Sequence, residues 1–120
     1  MDEPAMRVPP NNAEAERSVL GCMMQDREAL SLALEMLSAD DFYQPANREV
    51  FDAMHVLNMQ GMPVDLVTVD EELTRRGTLE GAGGTGYLVE LSQCMPSAAN
   101  ARAYMQIVDE KATLRRMIKA

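Results

Sequence analysis

The residues Gly81-Ala82-Gly83-Gly84-Thr85-Gly86 meet the G-x-G-x-x-G spacing with which backbone amides cradle a dinucleotide pyrophosphate, and Asp109 stands roughly where the ribose-binding acid would fall. That chemistry needs a buried strand directly before the glycines and a second strand ending at the acid. Here a polar helix end precedes the glycines and Asp109 falls in mid-helix, so they are expected to form a flexible helix-to-helix loop and no cofactor-binding residue is assigned. The chain has no Gly-Lys-Ser/Thr sequence to hold a triphosphate, so nucleotide hydrolysis is not assigned to it either. His55 is the single histidine and has no cysteine near it in sequence, which leaves a zinc site to scattered carboxylates and favours a structural or surface role. Asp40-Asp41 and Asp70-Glu71-Glu72 could suggest acid-base pairs, but both lie in the first turns of expected helices. There the dipole and capping favour negative charge, and a solvated role is expected. Cys22 and Cys94 sit among apolar residues without disulfide or metal-ligand spacing and are expected to be reduced and mostly buried. The eleven methionines fall mainly at apolar helix positions, as core filling or as a methionine-rich binding surface. No catalytic, cofactor or metal residue emerges.

The elements that carry these residues read as helices punctuated by caps, with no strand alternation. Asn11 with Glu14 resembles a capping box opening a first helix with Val19, Leu20, Met23 and Met24 inward, and Pro9-Pro10 fixes its approach. Asp26 can cap a second helix carrying Leu30, Ala33, Leu34 and Leu37. Ser38 with Asp41 starts a short turn toward Phe42-Tyr43. After Pro45 a third helix aligns Val50, Phe51, Met54 and Leu57 and ends at Gly61; Met62-Pro63-Val64 is an extended connector. Thr68 with Glu71 reads as a capping box for a fourth helix that buries Val69 and Leu73, places Arg75 and Arg76 at its negative end and stops at Gly77. A fifth helix, about Thr85 to Gln93, packs Tyr87, Leu88 and Leu91, and Pro96 separates it from the last.

From Ser97 to Ala120 the pattern is one uncapped helix, still running where the sequence stops. On a wheel of 100° per residue Ala101, Ile107, Val108, Ala112, Leu114 and Ile118 lie within about 80° of Tyr104, a face wider than the stripe of an ordinary surface helix. Lys111 and Arg115 project into that face, which suits an interface rim where aliphatic stems pack and charges reach water. The expected reading is a chain cut within a longer protein, its last helix docking on another chain or on absent sequence. Folding of its first two turns back onto the domain is the equal alternative.

Size and charge narrow the classes further. A chain of 120 residues, 47% hydrophobic, holds one modest domain, no apolar run approaches the ~20 residues of a membrane span, and the N-terminus lacks signal-peptide features, so a cytoplasmic protein is expected. Residues 1–100 carry six arginines against seventeen acidic side chains, a net −11, and residues 101–120 carry five basic against two acidic, a net +3. Such an acidic body repels a phosphate backbone, so any DNA connection is expected to run through other domains or proteins.

The pieces Pro9-Pro10-Asn11, Glu14-Ala15-Glu16, Ser18-Val19-Leu20-Gly21, Asp41-Phe42-Tyr43, Asp65-Leu66-Val67-Thr68-Val69 and Gly83-Gly84 with Tyr87-Leu88 occur in an order that resembles the N-terminal domain of DnaB-type replicative DNA helicases. Pro96 to Asn100, then Tyr104, Ile107-Val108, Glu110-Lys111-Ala112 and Leu114-Arg115-Arg116, resemble that domain's interdomain region. The similarity covers roughly residues 9 to 119. It implies an all-α fold: a flexible segment at 1–10, a small globular helical bundle at 11–96, and at 97–120 a long helix forming the first arm of a helical hairpin. It further implies a fragment without catalytic activity of its own. The whole protein would be a hexameric ATP-dependent helicase using ATP and magnesium, with DNA contacted only by the absent C-terminal domain. Its N-terminal domains would pair as a trimer of dimers, form a collar and receive the helicase-binding domain of primase during DNA replication. The expected subunit interface is Tyr104, Ile107, Val108, Leu114 and Ile118, with Lys111 and Arg115 at the rim. Asn47 departs from the histidine found in many relatives, so no role of that imidazole is carried over. The competing readings are a helical DNA-binding domain, a generic protein-interaction adaptor and a small cofactor-binding enzyme.

Overall fold

In a computed structural model, residues 8–94 and 98–119 are described. They form α1 (Ala13–Gln25), α2 (Arg27–Met36), a 3-10 turn (Ala39–Asp41), α3 (Pro45–Met59), α4 (Leu66–Arg76), α5 (Gly84–Ser92) and α6 (Ala98–Lys119), with no strand among the described residues. Most of the segment 1–10 and the expected break at Pro96 lie outside them.

Local chemistry sets the helix starts. The cap of α1 is Asn12, one residue later than Asn11: its side chain accepts the Ala15 N–H at 2.9 Å, while the Asn11 amide turns back to the Pro9 carbonyl at 2.9 Å. Asp26 caps α2 through the Glu28 N–H, as its position suggested. For α4 the expected cap is corrected by three residues. Asp65 is the cap and Thr68 its N3 partner, each side chain bonding the other's N–H at 2.9 Å, so the helix starts at Leu66 and Glu71 has no part in the box. A carboxylate accepts an amide at this position more strongly than a hydroxyl does, which decides between the two overlapping boxes. Gly77, at φ +76°, closes α4 in the left-handed conformation.

The core gathers around α1, which packs against α2, α3, α5 and α6. Val19, Leu20 and Met23 are fully enclosed, as are Val50, Met54, Leu73, Leu88 and Leu91, and the Phe42 and Phe51 rings meet at 5.0 Å. The last helix is part of this core. Ala101, Met105, Val108 and Ala112 are buried, with Tyr104 and Ile107 partly buried beside them, against α1, α2 and the 3-10 turn. The broad apolar face is thus filled by the chain's own globule as far as Ala112. Only beyond it do large apolar side chains emerge: Leu114 is 43% exposed, Met117 67% and Ile118 68%.

Gly21 allows α1 and α5 their closest approach. A Cβ there would stand 2.6 Å from the Leu91 carbonyl oxygen and 2.9 Å from Cys94 Cβ. Helix propensity favours Ala over Gly by about 1 kcal/mol, but here the clash is with backbone, which cannot rotate away. Gly21→Ala is expected to lower unfolding free energy by about 1–3 kcal/mol in denaturant titrations. Met105→Ala should cost about 2–5 kcal/mol in the same measurement, whereas Ile118→Ala should stay within about 0.5 kcal/mol.

Candidate functional site

Three polar clusters hold the helices in register, and the site is built on the third. In the first, Glu16 lies on the inward face of α1, only 1% exposed, with no cation bonded to it among the described residues. Its carboxylate accepts the Tyr43 N–H at 2.6 Å, the Gln44 N–H at 3.3 Å and the Asn47 side-chain amide at 2.8 Å. Gln44 offers α3 no side-chain cap, so Glu16 supplies the negative charge at that helix start from a neighbouring helix. Asn47, itself 1% exposed, accepts a hydrogen bond from the Tyr87 hydroxyl and so joins α5 to the cluster. Burial pushes the Tyr87 phenol up, with Arg17 opposing.

The second cluster corrects the expectation for Asp70-Glu71-Glu72. Glu72 is buried, 5% exposed, and receives Arg75 at 2.8 Å and Arg76 at 2.9 Å, while Arg76 also reaches Asp52 of α3 at 3.0 Å. Hydrogen bonds from Arg75 and Arg76 hold the Glu72 carboxyl below its ordinary value against the opposing effect of burial. Asp70 bonds the Thr85 hydroxyl at 2.6 Å, linking α4 to the start of α5. The glycine loop is the expected helix-to-helix connection, with positive φ at Gly83 and Gly84. His55 is exposed. No cluster of metal-ligating side chains occurs among the described residues.

The third cluster lies where α6 leaves the globule. Arg115 donates to the Pro10 carbonyl at 2.8 Å and the Asp41 carbonyl at 2.7 Å, and its guanidinium sits 5.4 Å from the Tyr43 ring centroid. Arg116 pairs with the Asp41 carboxylate at 2.9 Å, and that carboxylate also accepts the Ser38 N–H at 2.8 Å. Asp41 is therefore a buried, paired group, a second correction to the solvated reading of the carboxylates. The expected interface residues separate along α6. Val108 belongs to the core, Tyr104 and Ile107 pack against it, and Arg115 is spent inside the chain. Lys111 is half-buried, and Leu114 and Ile118 are free at the surface. Met117, which sequence reasoning passed over, completes an exposed stripe at i, i+3 and i+4 with Leu114 and Ile118. A cleft of about 260 Å³ lies beside it, lined by Pro9, Tyr43, Arg48, Arg115 and Ile118 among others.

This arrangement of six helices matches known proteins. The profile of the DnaB-like helicase N-terminal domain fits residues 8–110. The chain belongs to that family. It is 47% identical over 113 residues to the replicative DNA helicase DnaC of Bacillus subtilis (strain 168), covering 94% of this chain and 25% of the relative. To the replicative DNA helicase DnaB of Mycobacterium leprae (strain TN) it is 48% identical over 114 residues, covering 95% of this chain and 19% of the relative. The crystal structure of the N-terminal domain of DnaB helicase from Mycobacterium tuberculosis superposes with a TM-score of 0.88 at 47% identity, over 93% of this chain and 78% of that one. The chain spans a quarter or less of the length of these curated helicases and matches them through the N-terminal domain.

The Glu72 cluster predicts a pH dependence for this DnaB-family domain. A carboxyl held low in the folded state contributes stability that is complete above its unfolded value and is lost as pH falls through the unfolded toward the folded value. Glu72→Gln is therefore expected to lower stability at neutral pH and to flatten the acid limb of the stability curve. Urea midpoints measured from neutral pH down through the carboxylate range check both effects.

Proposed function

We propose that the chain is the assembly and docking module of a hexameric replicative helicase, pairing subunits and receiving primase during DNA replication. What supports the reading is the stripe Leu114, Met117 and Ile118, apolar and exposed on a helix whose preceding turns are fixed in the core. A stripe anchored in this way is already ordered and loses little conformational entropy when a second helix covers it. In the proposed dimer, stripes from two subunits pack together, with Lys111 at the rim; Tyr104, Ile107 and Val108 support the helix from beneath. Three such pairs would close the collar.

The motor belongs to the rest of the longer protein. ATP and magnesium would act there, and single-stranded DNA would be held there, because a body at −11 over residues 1–100 resists phosphate. The same reading puts the protein in the cytoplasm. No helix among the described residues is long and apolar enough to cross a membrane.

Sedimentation velocity over a wide concentration range is expected to show reversible self-association. Replacing both Leu114 and Ile118 by Ser should weaken it at least about tenfold, a change of about 1.4 kcal/mol, with the unfolding midpoint nearly unchanged. A protein that stays monomeric at every concentration would sink the pairing. Calorimetric titration with the helicase-binding domain of primase tests the docking half separately, and heat at the level of dilution would count against it.

A further inference from the structure

Cys94 lies just beyond the Gln93 cap of α5 and rests on the face of α1 formed by Ser18, Gly21, Cys22 and Gln25, which are spaced i, i+3, i+4 and i+7. Three contacts fix it there. Its Sγ lies 3.8 Å from the Ser18 hydroxyl, its Cβ lies 2.9 Å from where a Cβ on Gly21 would stand, and its carbonyl accepts the Gln25 side-chain amide at 2.8 Å. The same amide bonds the Ser92 carbonyl at 2.8 Å, so the end of α5 is held on α1 at Ser92 and at Cys94 itself. Helical side chains lean toward the N-terminus of their helix, which carries the Cys22 thiol over the turn of Ser18, where the Cys94 sulfur sits. The only two cysteines of the chain, 72 positions apart in sequence, thus stand at one junction, Cys22 on the α1 face against which Cys94 rests, and nothing in the assembly reading uses them.

We propose that Cys22 and Cys94 form a redox site that takes peroxide-class oxidants and closes reversibly to a disulfide, stapling α1 to the end of α5. The two thiols are not equivalent. Cys94 is half-buried and reachable, whereas Cys22 is 4% exposed; burial first, then the neighbouring charges of Cys94 and Asp26, push its thiol up. Cys94 is accordingly the sulfur attacked first. Its thiolate takes an oxygen from hydrogen peroxide, giving a sulfenic acid and hydroxide. Cys22 then loses its proton, attacks the Cys94 sulfur and expels a second hydroxide. With the two thiol protons the products are one disulfide and two waters, and a dithiol reductant reverses the sequence. Because the bond joins helices already in contact, it forms without rearrangement of the core and fixes α5 on α1 just ahead of the terminal helix.

The test is peroxide treatment of the reduced chain, followed by alkylation in denaturant and peptide mapping without reductant. The expected product is a monomer two hydrogens lighter, with the peptides of Cys22 and Cys94 linked, no alkylation at either, and recovery of both thiols on adding dithiothreitol. It should keep its helical circular dichroism and melt at a higher temperature than the reduced form. Cys22→Ser should leave a Cys94 sulfenic acid that dimedone traps, while Cys94→Ser should leave Cys22 fully alkylatable after the same exposure. Overoxidation of Cys94 beside an intact Cys22 thiol, disulfides only between chains, or lost helicity on crosslinking would each overturn the proposal.

Discussion

Packing of α6 across α1 is the constraint on which the molecule depends. A domain of this size has little interior, and α1 alone cannot bury the apolar faces of α2, α3 and α5 without a cover on its remaining side. Ala101, Met105, Val108 and Ala112 provide that cover. Two of the four are alanines, whose short side chains suit close packing, and Met105 is fully enclosed in the core beside them. The element that looks most like an appendage in sequence is therefore a wall of the core.

The second ordering influence is polar. Seventeen acidic groups over residues 1–100 repel one another, yet among the described residues three of them, Glu16, Asp41 and Glu72, lie inside. Each is repaid by donors that also tie two elements together. Glu16 joins α1 to the start of α3, Glu72 through Arg76 joins α4 to α3, and Asp41 through Arg116 joins the 3-10 turn to α6. Apolar contacts at these places would tolerate sliding; a carboxylate aimed at specific N–H groups does not, because a shift leaves a buried charge unpaired.

The helical class, the element order and several ends were legible in the sequence because they are local. Asp26, Pro45, Gly61 and Gly77 act on neighbouring backbone only. The slips at Asn12 and Asp65 arose where two acceptors competed within one turn: Asn11 and Asn12 are the same residue type and give no signal, whereas the carboxylate of Asp65 did carry one over the Thr68 hydroxyl. Tertiary partners were less accessible. Glu72 carried a signal in Arg75 and Arg76 at i+3 and i+4, and Glu16 carried one in its alignment with Val19, Leu20 and Met23. Asp41 carried none, since Arg116 lies 75 positions away. The breadth of the apolar face on α6 was read correctly, but breadth alone does not distinguish several neighbours within one chain from neighbours on two chains. Its inner part has the first kind, and the outer stripe of Leu114, Met117 and Ile118 lies exposed.

That division along a single helix bears on how assembly could reach the globule. A rod free over its whole length could tilt without disturbing anything else, so events at its tip would stay there. Here Arg115 and Arg116, which stand between Leu114 and Met117 in the chain, grip Pro10, Asp41 and Tyr43 at the level of the exposed stripe itself. A force on Leu114, Met117 and Ile118 passes along α6 to its buried turns on α1, and also through this grip to the 3-10 turn, and from there through Tyr43 and Gln44 to the Glu16 carboxylate and α1. The route consists of short directional bonds with few alternative geometries, which resist gradual deformation. Pairing at the tip would thereby fix the orientation of the whole helical body, so that subunits joined by a small apolar stripe present their globules in a repeatable arrangement.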